Sequence, residues 1–278
     1  MGIRLFPTFL ALSLACVPAA ASASNPFAYS YGAETEEKGE TEATLWVTQR
    51  SGKGAGTYRA RDLLIEVERG LTDRLQASFY LTFDAHRVGG LEPRFGNSTG
   101  ALRFNGAKAS VAYMLRSPED GNLGIALYLE PGFSRFSGTS GEPRTALTLE
   151  SKVMLEQRFT DRLRWVGNLT LEQEFEHEDR VWNKELEAEV STGLAYRVAG
   201  GLHLGGEARI ANRFAGFPDT VDRSAWAVFA GPTAHYDGGA WFASMSVQHQ
   251  LAGGPGASSR NLDEFEKNEA RLKLGVEF

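Results

Sequence analysis

The chain has 278 residues, of which 42% are hydrophobic and 11% aromatic, with 31 Gly, a single Cys and a formal net charge of −6. That hydrophobic fraction excludes wholesale disorder, and an acidic balance with a pI near 5.5 argues against a general nucleic-acid binder, which would carry a basic stripe. The mean hydropathy of −0.28 is what a water-soluble domain shows, but a membrane β-barrel is polar at every second residue and averages to a similar value.

Residues 1–23 read as a secretory signal peptide. Arg4 supplies the positive start, Leu5 to Val17 is almost wholly apolar, and Pro18-Ala19-Ala20-Ala21-Ser22-Ala23 offers an A-x-A site, cut after Ala23 or after Ala21. About 13 apolar residues fall short of the ~20 that a membrane-spanning helix needs. A looser alternative is lipidation at Cys16, in Leu12-Ser13-Leu14-Ala15-Cys16. Cleavage after Ala23 removes the Cys and one positive charge, so residues 24–278 carry no thiol and must be stable without disulfides.

From about residue 36 onward, apolar and polar residues alternate in stretches of ten to fifteen, each closed by a turn rich in Gly, Pro, Asp, Asn or Ser. Leu75, Ala77, Phe79, Leu81 and Phe83 alternate with Gln76, Ser78, Tyr80, Thr82 and Asp84, the period of a strand with two unlike faces. Twelve such segments are expected, at 38–50, 57–69, 73–86, 103–116, 122–135, 145–158, 162–176, 181–197, 201–213, 223–236, 239–251 and 265–278. No helix fits between them, so they predict one antiparallel sheet linked by hairpins. Compact turns follow the even strands, whereas long connections at 87–102, 214–222 and 252–264 follow odd ones. Tight turns on one rim and long loops on the other predict a closed, up-and-down transmembrane β-barrel over 24–278, since an open sheet edge cannot sit in hydrocarbon. A short repeat, Gly70-Leu71-Thr72-Asp73-Arg74-Leu75 and Arg158-Phe159-Thr160-Asp161-Arg162-Leu163, reads as a favoured hairpin turn.

The charged parity then faces the lumen, because a Lys or Arg facing lipid at the midplane costs about 2–4 kcal/mol. The lumen-lining candidates are Glu66, Glu68, Asp84, Lys108, Glu130, Glu150, Lys152, Arg164, Glu172, Glu174, Glu185, Glu187, Glu189, Glu207, Arg209, Arg271 and Lys273. Two readings of that interior stay open: an acidic channel for cations or small polar or aromatic solutes, or a narrow barrel filled by paired acids and bases. Leu64, Phe104, Phe136 and Phe242 are apolar on the lumen parity and would suit a hydrophobic solute. Trp46, Trp165, Trp182, Trp226 and Trp241, with Tyr113, Tyr196 and Tyr236, read as interfacial girdles, with Trp46 alone on the polar parity and therefore a candidate sugar-stacking platform.

Signals for chemistry are thin. Ser244, Ser246, His235 and His249 are near enough in sequence to prompt an outer-membrane hydrolase, the third reading, but no nucleophile motif surrounds them. Glu174-Phe175-Glu176-His177-Glu178-Asp179 reads as a solvated loop tip rather than a metal site, and Ser51-Gly52-Lys53-Gly54-Ala55-Gly56 as a flexible hairpin loop. No catalytic, metal or cofactor residue is assigned.

Glu37-Lys38-Gly39-Glu40 before Leu45-Trp46-Val47-Thr48, the stretch from Ile65 to Gln76, and Gly231-Pro232-Thr233-Ala234-His235-Tyr236 carry a resemblance. They resemble a family of uncharacterised Gram-negative outer-membrane barrels, similar to transporters found beside phenol-degradation genes. The resemblance implies an outer-membrane location, a lipid environment and a transport role, and carries over no substrate and no catalytic residue. The final strand ends on Phe278, which resembles the signal read by the outer-membrane assembly machinery, with Lys273 where that signal prefers Gly. The partners expected are therefore membrane lipid, the assembly machinery and a small solute, with no nucleic acid.

Overall fold

The computed structural model describes residues 25–278 apart from 55, 92–96, 179–180, 221 and 256–258. The expected signal peptide and Cys16 lie outside the described residues. Twelve strands follow one another: β1 (Thr41–Ser51), β2 (Thr57–Thr72), β3 (Leu75–Gly89), β4 (Ser98–Arg116), β5 (Gly124–Phe136), β6 (Pro143–Thr160), β7 (Leu163–Glu178), β8 (Val181–Ala199), β9 (Leu202–Ala215), β10 (Arg223–Asp237), β11 (Trp241–Gly254) and β12 (Asn268–Glu277). Each pairs antiparallel with its neighbours in sequence, and β1 closes on β12 to complete the barrel. The seam is zipped to its end: Phe278 donates its N–H to the Thr41 carbonyl at 2.9 Å and accepts from Thr41 at 3.1 Å.

Alternation sets which face is which. Ile65 and Val67 are 43% and 45% exposed on the outside, while Glu66 between them is 3% exposed on the inside. The register joins Leu45 to Ile65, Leu81, Ala107, Phe133, Leu147 and Phe175 in turn from β1 to β7, an unbroken apolar belt one residue wide. Cross-strand pairs of this kind fix the register, because a one-residue slip would turn every charge outward.

The repeated Thr-Asp-Arg-Leu turns share one construction. In both, the last ladder pair follows a one-residue irregularity, Thr72 with Leu75 and Thr160 with Leu163, and the threonine hydroxyl accepts from the turn N–H of Arg74 or Arg162. β3 and β4 run further toward the long loops than the sequence suggests, so their connection shrinks to 90–97, whereas β1 and β12 begin later, at Thr41 and Asn268 rather than at 38 and 265. Phe104 departs from the expected lumen position. A bulge opposite Thr82 and Phe83 inverts the phase of β4, so Phe104 pairs with Phe83 on the outer face and Arg103 turns inward to Asp84 at 3.4 Å. An extra residue in one strand necessarily exchanges its two faces beyond that point.

Candidate transport pathway and its N-terminal plug

The alternating strands leave an inner wall studded with charge, and most of that charge is neutralised locally. Lys108 meets Glu130 at 2.8 Å, Lys152 meets Glu150 at 3.0 Å, and Arg164 meets Glu156 at 3.2 Å. Arg209 bridges Glu189 at 2.9 Å and Glu269 at 2.5 Å, Arg144 bridges Glu174 and Glu176, and Arg213 takes Glu187 at 3.1 Å with Glu185 at 3.7 Å. Glu68 accepts from Gln76 and Ser78, while Glu172 lines the recess nearest the long loops. Arg271 donates to Thr48 and lies over the Tyr29 ring, and Lys273 sits 3.6 Å from the Trp46 ring centroid.

Residues 25–36, ahead of the first expected strand at 38, run through this interior before β1, whereas Glu37, Lys38 and Gly39 are exposed. Phe27, Ala28, Ser30 and Ala33 have no exposed surface. The segment is irregular backbone, so its polar groups need partners from the wall. The Glu207 carboxylate accepts three successive N–H groups, from Ala28 at 3.2 Å and from Tyr29 and Ser30 at 2.8 Å each. Asn168 exchanges two bonds with the Tyr31 backbone, at 2.8 and 2.9 Å, and Glu156 accepts from Ala33 at 3.0 Å. Gln76 accepts from Glu36, and Arg271 donates to the Ala28 carbonyl. Side-chain pairs join Glu34 to Arg158 and Arg164. These partners stand on β3, β6, β7, β9 and β12, so the segment crosses the lumen as a plug held from several sides.

Its side chains complete the layer. Phe27 enters a hollow made of Val166, Ala195 and the bare backbone of Gly193. The Tyr31 ring lies 6.2 Å from Trp46 and 6.5 Å from Tyr128, with the Lys152 ammonium 3.8 Å and the Lys273 ammonium 4.9 Å from its centroid. Tyr31, Trp46, Tyr80 and Tyr128 line recesses on both sides of this layer. Toward the tight-turn rim the recess is walled by Glu36, Glu42, Glu66, Glu68 and Lys273; toward the long loops it carries Asp62, Asp84, Lys108, Glu130 and Arg271. Burial, then the neighbouring Glu68 carboxylate, pushes the Glu36 carboxyl up to about 8. At the long-loop rim burial alone would raise Glu266, but Lys53 and Arg50 hold it down at about 2.

Trp46 faces inward, as expected, but Tyr31 and Lys273 cover its ring, so it presents no bare stacking surface. Leu64 and Phe136 line the long-loop recess and Phe242 the tight-turn one. His235 Nδ1 lies 2.8 Å from Ser244 Oγ, both buried beside the plug, and the Ser244 hydroxyl donates to the Asn25 carbonyl. A hydroxyl has one proton, so in this arrangement the imidazole donates to Ser244, the reverse of a base activating a nucleophile. Ser246 points inward with Ser244, whereas His249 alternates to the other face and meets Asn268 at 2.6 Å. In the Glu174–Asp179 run, Arg144 holds Glu174 and Glu176 inside, while His177 stacks on Trp182 at 4.8 Å; the Glu178 side chain and Asp179 lie outside the described residues.

A family model described as a family of unknown function, DUF6662, matches residues 19–278. No curated protein matches the sequence. Among solved structures, the COG4313 outer membrane channel from Pseudomonas putida F1 is 15% identical with a TM-score of 0.60, over 88% of this chain and 97% of that one. The NanC porin is 11% identical with a TM-score of 0.54, over 84% and 98%. The β domain of the Bordetella autotransporter BrkA is 12% identical with a TM-score of 0.52, over 86% and 99%. At such identities the likeness is one of fold, and the fold is that of an outer-membrane barrel, an architecture in which tight turns and long loops lie at opposite rims.

Proposed function

The chain belongs to the DUF6662 family, and we propose that it is a passive outer-membrane channel whose pathway is the charged inner wall and whose conductance is set by residues 25–36. The observation that carries this reading is the arrangement of charged recesses on both faces of one aromatic layer, with Tyr31 of the plug contributing to it. The plug is held by wall side chains and takes no place in the strand order of the closed barrel, so it can leave without unpairing neighbouring strands. The channel and porin among its structural neighbours support the same reading.

The solutes are small and polar or aromatic. The acid excess of the wall favours cations over anions. Aromatic solutes fit because the layer already holds a phenol ring beside two ammonium groups, at 3.8 and 4.9 Å from its centroid, an arrangement that stabilises any comparable ring. The second reading, a structural or binding barrel with an occluded lumen, draws on the local pairing of most wall charges. A hydrolase is the weakest of the three, given the direction of the His235–Ser244 hydrogen bond. The β12 strand together with Phe278 just beyond it is the segment we assign to the assembly machinery.

Planar-bilayer recording of the whole chain and of a variant lacking residues 26–36 separates these readings. The deletion is expected to show stable, cation-preferring conductance steps, with the parent conducting only in brief events. A deletion variant that folds and stays silent supports the occluded barrel, and anion preference overturns the acidic-lumen argument.

A further inference from the structure

Along the outer face of β2, Val67, Ile65 and Leu63 give way to Arg61 and Arg59 toward the long loops, and on β3 the same level carries Arg87. Arg59 and Arg87 are directly opposite one another in the ladder, and Arg61 is one outward position below, opposite Ala85. All three are exposed, and their strand parity points them away from the lumen, since Tyr58, Ala60 and Val88 beside them are buried inside. Among the described residues none of the three has an acidic partner; Arg61 reaches only the Gln49 amide oxygen, at 3.4 Å.

Like charges directly opposite across two strands repel and destabilise the pairing, yet this pair sits where the apolar belt ends. Solvated rim charges would be indifferent to register. Here two arginines stand opposite one another in the ladder with a third one outward step nearer the bilayer, a concentration of positive charge that suits a doubly charged anion approached from the lipid side. Guanidinium binds phosphate through two parallel hydrogen bonds and, being weakly hydrated, holds them at an interface. The outer leaflet next to the long-loop rim of such a barrel is built of phosphorylated glycolipid, whose phosphates lie just beyond the acyl chains.

We propose that Arg59, Arg61 and Arg87 form an external binding site for the phosphates of an outer-leaflet glycolipid of the lipid A type. The site lies on the wall and is independent of whether the barrel conducts. Bound lipid would neutralise the Arg59–Arg87 repulsion and cement β2 to β3 at the rim, so lipid binding and barrel stability rise together.

The test uses the full chain, purified in zwitterionic detergent, with diphosphoryl lipid A as the probe, read by native mass spectrometry and by the thermal midpoint. The parent is expected to retain lipid A and gain thermal stability from it, and to retain the dephosphorylated lipid about tenfold less. The R59Q/R87Q variant should lose about tenfold in lipid A retention while keeping the heat-modifiable gel mobility of a folded barrel. If that variant does not fold, R59K/R87K keeps the charge but loses the fork, and should bind more weakly than the parent. Equal retention by the parent and either folded variant, equal retention of the dephosphorylated lipid, or equal binding of phosphatidylglycerol as a general anionic lipid would each overturn the proposal.

Discussion

Glu207 is the residue on which the plug turns. Its carboxylate, 3% exposed, receives the N–H groups of Ala28, Tyr29 and Ser30, and irregular backbone buried in a lumen has few other ways to satisfy three successive donors. Hydrogen bonds to a charged acceptor contribute about 1.5–3 kcal/mol each. Glu207→Gln keeps the shape but replaces one acceptor oxygen with an amine that faces another donor. It is expected to weaken docking by about 2 kcal/mol and to raise open probability in bilayer recordings at least about tenfold; an unchanged gating pattern would show that the carboxylate does not hold the plug. The charge of Glu207 and its inward direction were legible from alternation with Ala208 and Leu204. Its partners were not, because nothing in a strand's period reports what an acid on the polar face touches across the barrel.

At the scale of elements, the wall of β7 and β8 is shaped for one plug side chain. Val166 and Ala195 leave a hollow, and a Cβ on Gly193 would stand 2.6 Å from the Phe27 ring. Backbone strain is not at issue at Gly193, so Gly193→Val preserves the strand and evicts Phe27. A Ser30→Cys reporter is then expected to react with a maleimide about tenfold faster in the Gly193→Val background, in line with a loss of over 1 kcal/mol of packing; equal rates would place Phe27 outside the docking energy. The strands themselves were readable because period-two patterning is imposed by two immiscible environments, lipid and a wet lumen. Residues 25–36 were not, since a segment held by side chains from seven strands needs no period of its own. The inversion of Phe104 was hidden for a related reason: a bulge is fixed by how β3 and β4 pair, and the local sequence of β4 reads smoothly through it.

Across the whole molecule, the acidic balance that first excluded nucleic acid is distributed unevenly along the lumen axis. Wall acids near the middle are matched by Lys and Arg, whereas the tight-turn mouth gathers Glu36, Glu42 and Glu68 with their carboxylate oxygens within 4.8 Å of one another. Glu40 and Glu277 add to the same field, against Lys273 at its inner edge. Burial comes first, and this crowding second, in lifting Glu36 from the ordinary 4.5 to about 8 in the docked plug. A carboxyl whose docked value lies above its released value favours docking fully below about pH 4.5, and that contribution is lost as pH rises through about 8. Glu34, also raised by burial and by Glu156, works in the same direction. The proposed channel is therefore expected to be most tightly plugged in acid, with open probability climbing between about pH 5 and about pH 9. Glu36→Gln, neutral throughout, should hold the low-pH behaviour across that range and flatten the profile. Single-channel recording at a series of pH values checks both, and a parent that closes as the pH rises would overturn the assignment of the plug's charge to its release.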